Sequence, residues 1–239
     1  ADVAARFLRA LGDQGAALAA AERLVAWHRE QGARDPLATP QPHFATIKQL
    51  YPHGLLGWSR DGKHLVELEC MSSLPAAYPR LLAKGVAQDD LLRHLVFTYT
   101  YAFARVDTRP CPQGCTVKIV DLGMLNFGDL KSDGFRFVSK AGSVLTVNFP
   151  LRLHVAFLIN APGWWAVAWK IVAPLVNKNV RERMVVFGRK EQAAMKRALL
   201  EYVREEDLPV QYGGKCTTPL DQLPMEKKLA AFVQTLNGT

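Results

Sequence analysis

Residues 160–176 constrain the fold of this chain more than any other stretch. The segment reads NAPGWWAVAWKIVAPLV, holds three of the chain's five tryptophans, and has Lys170 as its only charge. It is shorter than the roughly 20 apolar residues that a membrane-spanning helix needs. If the segment is helical, one side carries Trp165, Trp169 and Val172, and another side carries Trp164, Val167, Ile171 and Leu175.

Two hypotheses explain such a helix. A helix that is apolar on every side is typically buried in the core of a protein. The alternative is a mobile lid, whose two sides meet a hydrophobic ligand and a membrane in turn. The segment's own composition is compatible with both, so the surrounding sequence must decide between them.

The charge of the chain indicates an anionic partner. Of its 239 residues 49% are hydrophobic, which is enough for a sizeable core, and its net charge is +8. Residues 178–204 hold eight Lys or Arg against three Glu, and no run of five basic residues occurs. Basic residues that follow an apolar helix favour an anionic membrane surface. The sequence therefore predicts membrane contact and no binding to nucleic acid.

Residues that could support chemistry are scattered. Cys70, Cys111, Cys115 and Cys216 are expected to be free thiols in a reducing compartment, and their spacing predicts no metal site. No phosphate-binding loop, GxSxG, HExxH or kinase motif occurs, so we predict a protein that is not an enzyme and needs no cofactor. The chain begins inside a helical pattern, which is compatible with an upstream targeting segment.

Apolar periodicity and turn residues predict alternating helices and strands. Helices are predicted over residues 2–11, 14–31, 42–51, 74–84, 88–106, 127–148, 190–204 and 222–236. Strands are predicted over residues 64–69, 116–122, 154–160 and 184–188. This alternation indicates an α/β fold with a largely parallel sheet. We divide the chain into an N-terminal helical subdomain (1–52), a main domain (53–216) and a C-terminal extension (217–239).

Several segments, in matching order over residues 4–216, resemble the CRAL-TRIO lipid-binding family. They are Arg6-Phe-Leu-Arg-Ala10, Trp27-His-Arg-Glu30, Asp61-Gly-Lys63, Ile119-Val-Asp-Leu122, Phe149-Pro-Leu-Arg152, Leu158-Ile-Asn-Ala-Pro162 and Asp207-Leu-Pro-Val-Gln-Tyr-Gly-Gly214. The resemblance implies a mostly parallel β-sheet that floors an apolar pocket, flanking helices, and a gate helix that closes it. Residues 163–176 fall at the gate, which favours the lid hypothesis.

The resemblance also implies positions that contact ligand. The headgroup positions of phosphatidylinositol-binding members correspond to His28, Leu151, Val180 and Arg183, and Arg29 is a neighbouring substitute for the first. Those of phosphatidylcholine-binding members correspond to Tyr99, Thr116, Leu55, Val66 and Lys118. The gate and membrane-facing positions are Trp164, Trp165, Trp169, Ile171 and Leu175. Arg183 in the first set, and Tyr99 and Thr116 in the second, keep the chemistry of the family.

Lys118 is the most informative departure. Strand alternation puts Thr116, Lys118 and Val120 on one face, which the resemblance makes the pocket side. A buried ammonium needs an anion or must lose its proton. One hypothesis is an internal ion pair with an acid such as Glu67 or Glu69. The other is contact with a ligand phosphate, a ligand carboxylate or a polar end group.

Tyr99, Arg183 and Arg29 have structural alternatives too. Tyr99 could pack between helices, and both arginines could be solvated surface charges. Asp121 is expected to orient the turn at Leu122-Gly123 and to be structural.

The sequence predicts a monomeric, cytoplasmic, peripheral membrane carrier that shields one hydrophobic molecule and exchanges it at membranes. The first hypothesis for the cargo is a phospholipid, more specifically an anionic one such as phosphatidylinositol or phosphatidic acid. The second is a nonpolar small molecule such as a tocopherol, a retinoid or a carotenoid. A third hypothesis is a lipid-gated interaction module that regulates a partner and transports nothing.

Overall fold

The computed structural model describes residues 2–30, 35–173, 176 and 178–238, except for the side chains at 171 and 172. The helices in this part are α1 (Asp2–Leu11), α2 (Gln14–Glu30), α3 (Phe44–Leu50), α4 (Leu74–Ala83), α5 (Gln88–Tyr101), α6 (Asp133–Asn148), α7 (Trp165–Val172), α8 (Lys178–Arg181), α9 (Gln192–Tyr202) and α10 (Pro224–Asn237). Every helix that the sequence predicts is present, and most ends shift by at most two residues. The helix predicted over 127–148 begins at Asp133, after a 3-10 helix at Phe127–Lys131, and the helix predicted over 88–106 ends at Tyr101 and continues as a π-helix at Ala102–Val106. Within the described residues no helix is long and apolar enough to cross a bilayer.

The strands form one sheet in the order β1-β2-β3-β4-β5. They are β1 (His53–Trp58), β2 (His64–Glu69), β3 (Cys115–Asp121), β4 (Leu153–Ala161) and β5 (Met184–Gly188). β1 runs antiparallel to β2, and the other neighbouring strands are parallel. The predicted α/β fold with a mostly parallel sheet is therefore confirmed.

β1 is the strand that the sequence analysis missed. Its first four residues are all buried, so it has none of the alternation between apolar and polar residues that marks a half-exposed strand. It also contains Gly54 and Gly57, which disfavour a strand by local propensity. Tertiary packing therefore overrides the local pattern at this edge of the sheet.

The two faces of the sheet bury different side chains. Val117 and Ile119 of β3 lie in an apolar cluster with Phe157 of β4 and with Met195 and Leu199 of α9. The residues between them in β3 point to the opposite face, as expected from strand alternation. We call that opposite surface the α7 face; its central members are Lys118, Val120, Ala156 and Leu158.

Arg6 joins the N-terminal helices to the rest of the protein. Its guanidinium is 1% exposed and donates to the Asp2 carboxylate at 2.8 Å and to the Leu151 carbonyl at 3.1 Å. Arg152 donates to the same carboxylate of Asp2 at 2.7 Å. Burial raises the pKa of Asp2, but the Arg6 hydrogen bond, the Cys111 N–H and the Arg152 charge together outweigh it, and the net pKa lies below its usual value. The contacts of Arg6 and Asp2 with Leu151 and Arg152 cross the predicted domain boundary near residue 52. That boundary stays a prediction.

The C-terminal helix α10 is part of the core. Leu229 and Val233 pack against Phe97 and Tyr101 of α5. Asn237 exchanges two side-chain to backbone hydrogen bonds with Gln41. The helix α10, which belongs to the predicted extension 217–239, therefore contributes apolar packing to the main fold.

Glu226 of α10 is a buried charge that closes the edge of the sheet. It is 4% exposed, accepts a hydrogen bond from Lys48 Nζ at 2.7 Å, and accepts another from the Leu55 backbone N–H at 2.8 Å. A Cβ at Gly54 would lie 2.5 Å from the Glu226 carboxyl carbon, so only glycine allows this approach. The carboxylate thus satisfies a donor on an edge strand that has no further strand beside it.

We predict that Glu226→Ala lowers the free energy of unfolding by about 3–5 kcal/mol. The change leaves the Leu55 N–H without its partner and the Lys48 ammonium, which also donates to the His53 carbonyl at 2.8 Å, without its counter-charge. Urea unfolding followed by circular dichroism measures the effect. Glu22→Ala on the exposed surface of α2 is the control and should change the stability by less than about 0.5 kcal/mol. Equal unfolding midpoints for the two variants would contradict a structural role for α10.

Candidate functional site

The α7 face carries an apolar lining built from several elements. Val120 of β3, Leu158 of β4 and Trp165 of α7 belong to one buried cluster. Half-buried side chains pack around it, namely Val138, Leu153, Trp164, Trp169 and Met184. These residues come from α6, from β4 and β5, and from α7 and its N-cap residue, so the lining exists only in the folded chain. It is a surface that can shield an apolar molecule from water.

The helix α7 has an inner and an outer side. Trp165 and Ala168 are 4% and 2% exposed, and the Trp165 ring stacks on that of Trp169 at 6.0 Å. Val167 is 62% exposed, and Lys170 is exposed as well. The structure puts Trp165 and Trp169 together on the inner side and Val167 on the outer side, as the sequence predicts. Trp164, which the sequence groups with Val167, packs against the inner cluster instead. Leu175 and the side chain of Ile171 lie outside the described residues.

Trp165 carries a polar atom that no described group satisfies. Its indole Nε1 is enclosed and has no hydrogen-bond partner within the described residues. Buried indole N–H groups usually have a partner, because leaving one unpaired costs free energy. The inner side of α7 therefore offers a hydrogen-bond donor beside an apolar lining.

The segment that leads into α7 is held by a polar network. Asn160 has a left-handed backbone (φ 56°), and its side-chain amide donates to Asp121 Oδ1 at 3.0 Å. Asp121 also accepts from the Gly123 N–H at 2.8 Å and from the Tyr212 hydroxyl at 2.9 Å. The predicted structural role of Asp121 at the turn is confirmed. This network fixes the chain just before the Pro162-Gly163 entry to α7.

Lys118 lies in an internal ion-pair cluster on the α7 face. Its Nζ is 2.5 Å from Glu69 Oε2 and 3.5 Å from Glu67 Oε1. It also donates to the Tyr99 hydroxyl at 2.9 Å, and that hydroxyl donates to Glu67 Oε2 at 2.7 Å. Tyr51 donates to Glu69 from the other side. Of the two hypotheses for Lys118, the internal pair with Glu67 and Glu69 is the one that the side chains adopt.

The cluster contains two carboxyl groups and one ammonium. Burial raises the pKa of Glu67 above its usual value, although Lys118 opposes this. The pKa of Glu69 is lowered, because Lys118 and Tyr51 together outweigh the effect of burial. Burial alone would lower the pKa of Lys118, but Glu67 and Glu69 raise it well above its usual value. Lys118 therefore favours its charged form, and its charge lies within ion-pair distance of both carboxyl groups.

A buried histidine pair adjoins this cluster. His53 Nδ1 lies 2.8 Å from the Tyr51 carbonyl, and His53 Nε2 lies 3.0 Å from His94 Nε2. Because a carbonyl only accepts, His53 carries its proton on Nδ1 and its Nε2 accepts from His94 Nε2–H. Burial, and next to it the Lys48 charge, lower the pKa of both rings well below the usual value. Both histidines are neutral.

The other predicted ligand positions do not converge on Lys118. The Thr116 hydroxyl donates to the Arg152 carbonyl at 3.2 Å, and Arg183 is exposed and donates to the Leu153 carbonyl at 3.0 Å. The Leu151 backbone has φ 53°, and its carbonyl accepts from Arg6.

The two positions on α2 lie apart from the α7 face. Arg29 is exposed there, and His28 lines a small pocket with Trp27, Gln41 and Arg93. Burial lowers the pKa of His28, although a hydrogen bond with Asn148 opposes the shift. Of the predicted ligand positions, the structure brings Tyr99 and Lys118 into contact and puts Val120 on the same face. The ligand roles of all these positions stay predictions.

Tyr51 and the His53–His94 pair were not foreseen from the sequence. Tyr51 precedes Pro52, and the dipeptide Tyr51-Pro52 indicated only the end of a helix. The two histidines are 41 residues apart and show no ligand spacing. Within the described residues no three His, Cys, Asp or Glu side chains are grouped as a metal site would require, and the four cysteines are free thiols.

Comparisons with known proteins relate the chain to one family. The model of the CRAL/TRIO domain matches residues 74–214. The protein real-time of Aedes aegypti is 25% identical over 224 residues, which cover 89% of this chain and 33% of that protein. The SEC14 cytosolic factor of Eremothecium gossypii is 24% identical over 220 residues, which cover 88% of this chain and 68% of that protein. The chain thus spans about a third of the length of the real-time protein.

A solved structure shares the fold. The crystal structure of Sfh5 superposes with a TM-score of 0.71 over 100% of this chain and 81% of that chain, at 13% sequence identity. Because the sequence identity is only 13%, this similarity shows a shared fold and nothing more specific.

We predict that the stability of the protein falls as the pH drops below about 6.5. The unfolded chain takes up protons on His53 and His94 near that pH, but the folded chain keeps both rings neutral. Each histidine should cost about 1.4 kcal/mol of unfolding free energy per pH unit until its folded pKa is reached. Urea unfolding at pH 7.5, 6.5 and 5.5 measures the slope.

His94→Gln is the variant that isolates one ring. Gln can still donate a hydrogen bond to His53 Nε2, but it does not titrate. The slope of unfolding free energy against pH should fall by the contribution of one histidine, at most about 1.4 kcal/mol per pH unit, between pH 6.5 and 5.5. Identical slopes for the variant and the wild type would show that the pair does not govern the acid response.

Proposed function

The chain belongs to the CRAL/TRIO domain family, and from this premise we propose that it carries one hydrophobic molecule on its α7 face and exchanges it at membranes. The family binds lipids or other hydrophobic small molecules, and its fold serves that purpose here. A relative bears the name of a cytosolic factor, and we place this chain in the cytoplasm as a monomer that binds membranes peripherally. In this proposal the protein performs no catalysis and holds its cargo without a cofactor.

The two-sided burial of α7 is the observation that carries the proposal. Trp165 and Ala168 close over the sheet, while Val167 stays in water. A tryptophan that leaves the interior exposes roughly 150–250 Å², which costs about 4–6 kcal/mol at ~25 cal/mol/Å². That cost keeps the helix closed in water. A membrane interface accepts indole rings and removes the cost, so opening is coupled to contact with a bilayer.

The charge state of the Lys118 cluster bears on the cargo. An anionic phosphate beside Lys118 would also lie beside Glu69, which is 2.5 Å from the ammonium. Two like charges at 4 Å repel by about 4 kcal/mol near a protein surface. The cluster therefore favours a cargo with an uncharged polar end, such as a hydroxyl or a carbonyl. This is the chemistry of the nonpolar small molecules that the sequence left as the second hypothesis.

An anionic phospholipid remains the second candidate, and Arg183 favours it. This guanidinium is exposed at the start of β5 and uses one N–H on the Leu153 carbonyl. Arginine has five N–H donors and matches a phosphate in geometry. A phosphatidylinositol-like or phosphatidic-acid cargo would place its headgroup at Arg183 and its acyl chains on the α7 face. A regulatory module that binds a lipid without transporting it would share the same site and would differ only in a transfer assay.

The lid role of α7 is tested with Trp165→Phe, Trp165→Ala and Val167→Ala. Trp165→Ala should lose about 3–5 kcal/mol of stability and release cargo, because it opens a cavity at the site. Trp165→Phe should stay folded and still show reduced cargo occupancy. Val167→Ala should keep its stability and its cargo but slow transfer between vesicles. Mass spectrometry of an organic extract measures occupancy and identifies the cargo.

Two results would contradict the carrier proposal. One is an organic extract of the purified wild type that contains no hydrophobic molecule in stoichiometric amount. The other is full cargo occupancy in Trp165→Phe together with unchanged transfer in Val167→Ala. Cargo without transfer would favour the regulatory module.

The cargo class is tested with Lys118→Met and the double variant Lys118→Met/Glu69→Gln. The single change leaves two buried carboxyl groups without their cation and should cost about 3–5 kcal/mol. The double change removes one of those carboxylates and should recover at least about 1 kcal/mol, as a double-mutant cycle reports. The extract of the folded double variant should contain the same cargo as the wild type. Loss of an acidic phospholipid from that extract would instead make Lys118 its headgroup ligand.

A further inference from the structure

Four parallel strands end at one edge of the sheet, and three of them lead into segments that lie together there. β3, β4 and β5 run in the same direction, so their carboxyl ends lie side by side. They lead into residues 122–127, into residues 162–165 at the start of α7, and into residues 189–191. Two contacts tie these segments together. The Phe127 ring meets the Trp164 ring edge-on at 5.6 Å, and Arg189 donates to the Gly123 carbonyl at 2.6 Å.

The apolar side chains at this edge protrude into water. Met124, Phe127 and Val167 are 61%, 60% and 62% exposed. Among the large apolar side chains of the described residues, only Leu18 on α2 is exposed to the same degree. Three of the four most exposed apolar side chains therefore belong to one edge of the fold. We call the surface formed by Met124, Phe127, Trp164 and Val167 the docking face.

The backbone holds Met124 and Phe127 in this outward position. Leu125, between them, is 2% exposed and anchors the segment in the apolar cluster of the α7 face. The Leu125 N–H donates to the Leu122 carbonyl at 3.1 Å, and the Asn126 N–H donates to Asp129 Oδ2 at 2.8 Å. The segment is thus a built turn with one side chain turned inward and two turned outward.

Basic side chains surround the docking face. Lys170 follows Val167 on α7, Lys131 ends the turn that begins at Phe127, and Arg189 and Lys190 follow β5; all four are exposed. The acidic side chains of the same segments are engaged with the backbone. Asp129 accepts from the Asn126 N–H, and Glu191 accepts from the Gly188 N–H at 2.6 Å.

We infer that the docking face binds an anionic lipid bilayer, and that Met124 and Phe127 are a fixed anchor beside the moving helix α7. Protruding apolar tips ringed by cations match a membrane interface, where the tips enter the headgroup region and the cations meet anionic lipids. The inference rests on the proposed function, in which α7 opens at a membrane, because it puts the membrane against the same edge of the fold. It goes further in naming an anchor that stays in place while α7 moves.

Sedimentation with lipid vesicles tests the anchor. The probes are vesicles of phosphatidylcholine alone and of phosphatidylcholine with one part in about five of phosphatidylserine. Met124→Ala/Phe127→Ala should lower the partition coefficient onto the anionic vesicles by about tenfold or more. Leu18→Ala is the control, because it removes an equally exposed apolar side chain on α2, outside the docking face, and it should bind as the wild type does.

Further readouts separate the outcomes. The unfolding midpoint and the cargo occupancy of Met124→Ala/Phe127→Ala should equal those of the wild type, because both side chains lie on the surface. Lys170→Gln/Lys190→Gln should reduce the preference for anionic vesicles and its dependence on salt. Wild-type partition by the double alanine variant, or equal loss in Leu18→Ala, would overturn the inference. The inference would also be overturned if the wild type did not bind vesicles and used this face only to bind another protein.

The inference and the carrier proposal can fail separately. Loss of vesicle binding in Met124→Ala/Phe127→Ala, with no cargo in any extract, would support the docking face and refute the carrier. Cargo in the extract, with vesicle binding unaffected by the same variant, would support the carrier and refute the docking face.

Discussion

The alternation of side chains across one parallel sheet is the constraint on which the rest of the protein depends. β3 is covered on both faces, so Val117 and Ile119 must meet α9 while Lys118 and Val120 meet the α7 face. A register slip of one residue would exchange these sets and put an ammonium into the apolar cluster under α9. The pairing of Glu67 with Lys118 across β2 and β3 fixes that register and supplies the counter-charge in the same step.

Buried charges join elements that are remote in the chain. Arg6 connects α1 to the turn before β4, Glu226 connects α10 to β1 and α3, and Lys118 connects β3 to β2 and α5. Such pairs add little net stability compared with apolar packing, but the loss of one partner is costly. They therefore specify which elements must meet. The buried contacts of Arg6 and Glu226 hold the N-terminal helices and α10 to the rest of the fold.

The candidate site combines an apolar lining with the helix α7, whose inner side packs over it. Apolar contacts are not directional, so the lining alone does not select one hydrophobic ligand over another. Selectivity for a ligand must come from the few polar groups that face the lining. These groups are the compensated Lys118 cluster and the indole N–H of Trp165. A polar network at Asp121 and Asn160 holds the chain before α7, while the docking face lies just outside it. In the carrier proposal, closure of α7 in water and its opening at a bilayer both follow from the burial of Trp165.

The sequence by itself determined the helices, four strands, the α/β class, the family and the burial of Lys118 on one face, because periodicity and motif order are properties of local sequence. It missed β1, whose doubly buried residues show no alternation. It grouped Trp165 with Trp169 but could not orient them, since the inner side of α7 is set by the strands beneath it. Only the tertiary structure decided three contacts: the ion pair of Lys118 with Glu69, the hydrogen bond from the Leu55 N–H to Glu226, and the hydrogen bond between His53 and His94. Each of these contacts joins side chains from separate elements, and distances between remote atoms are fixed only when the chain folds.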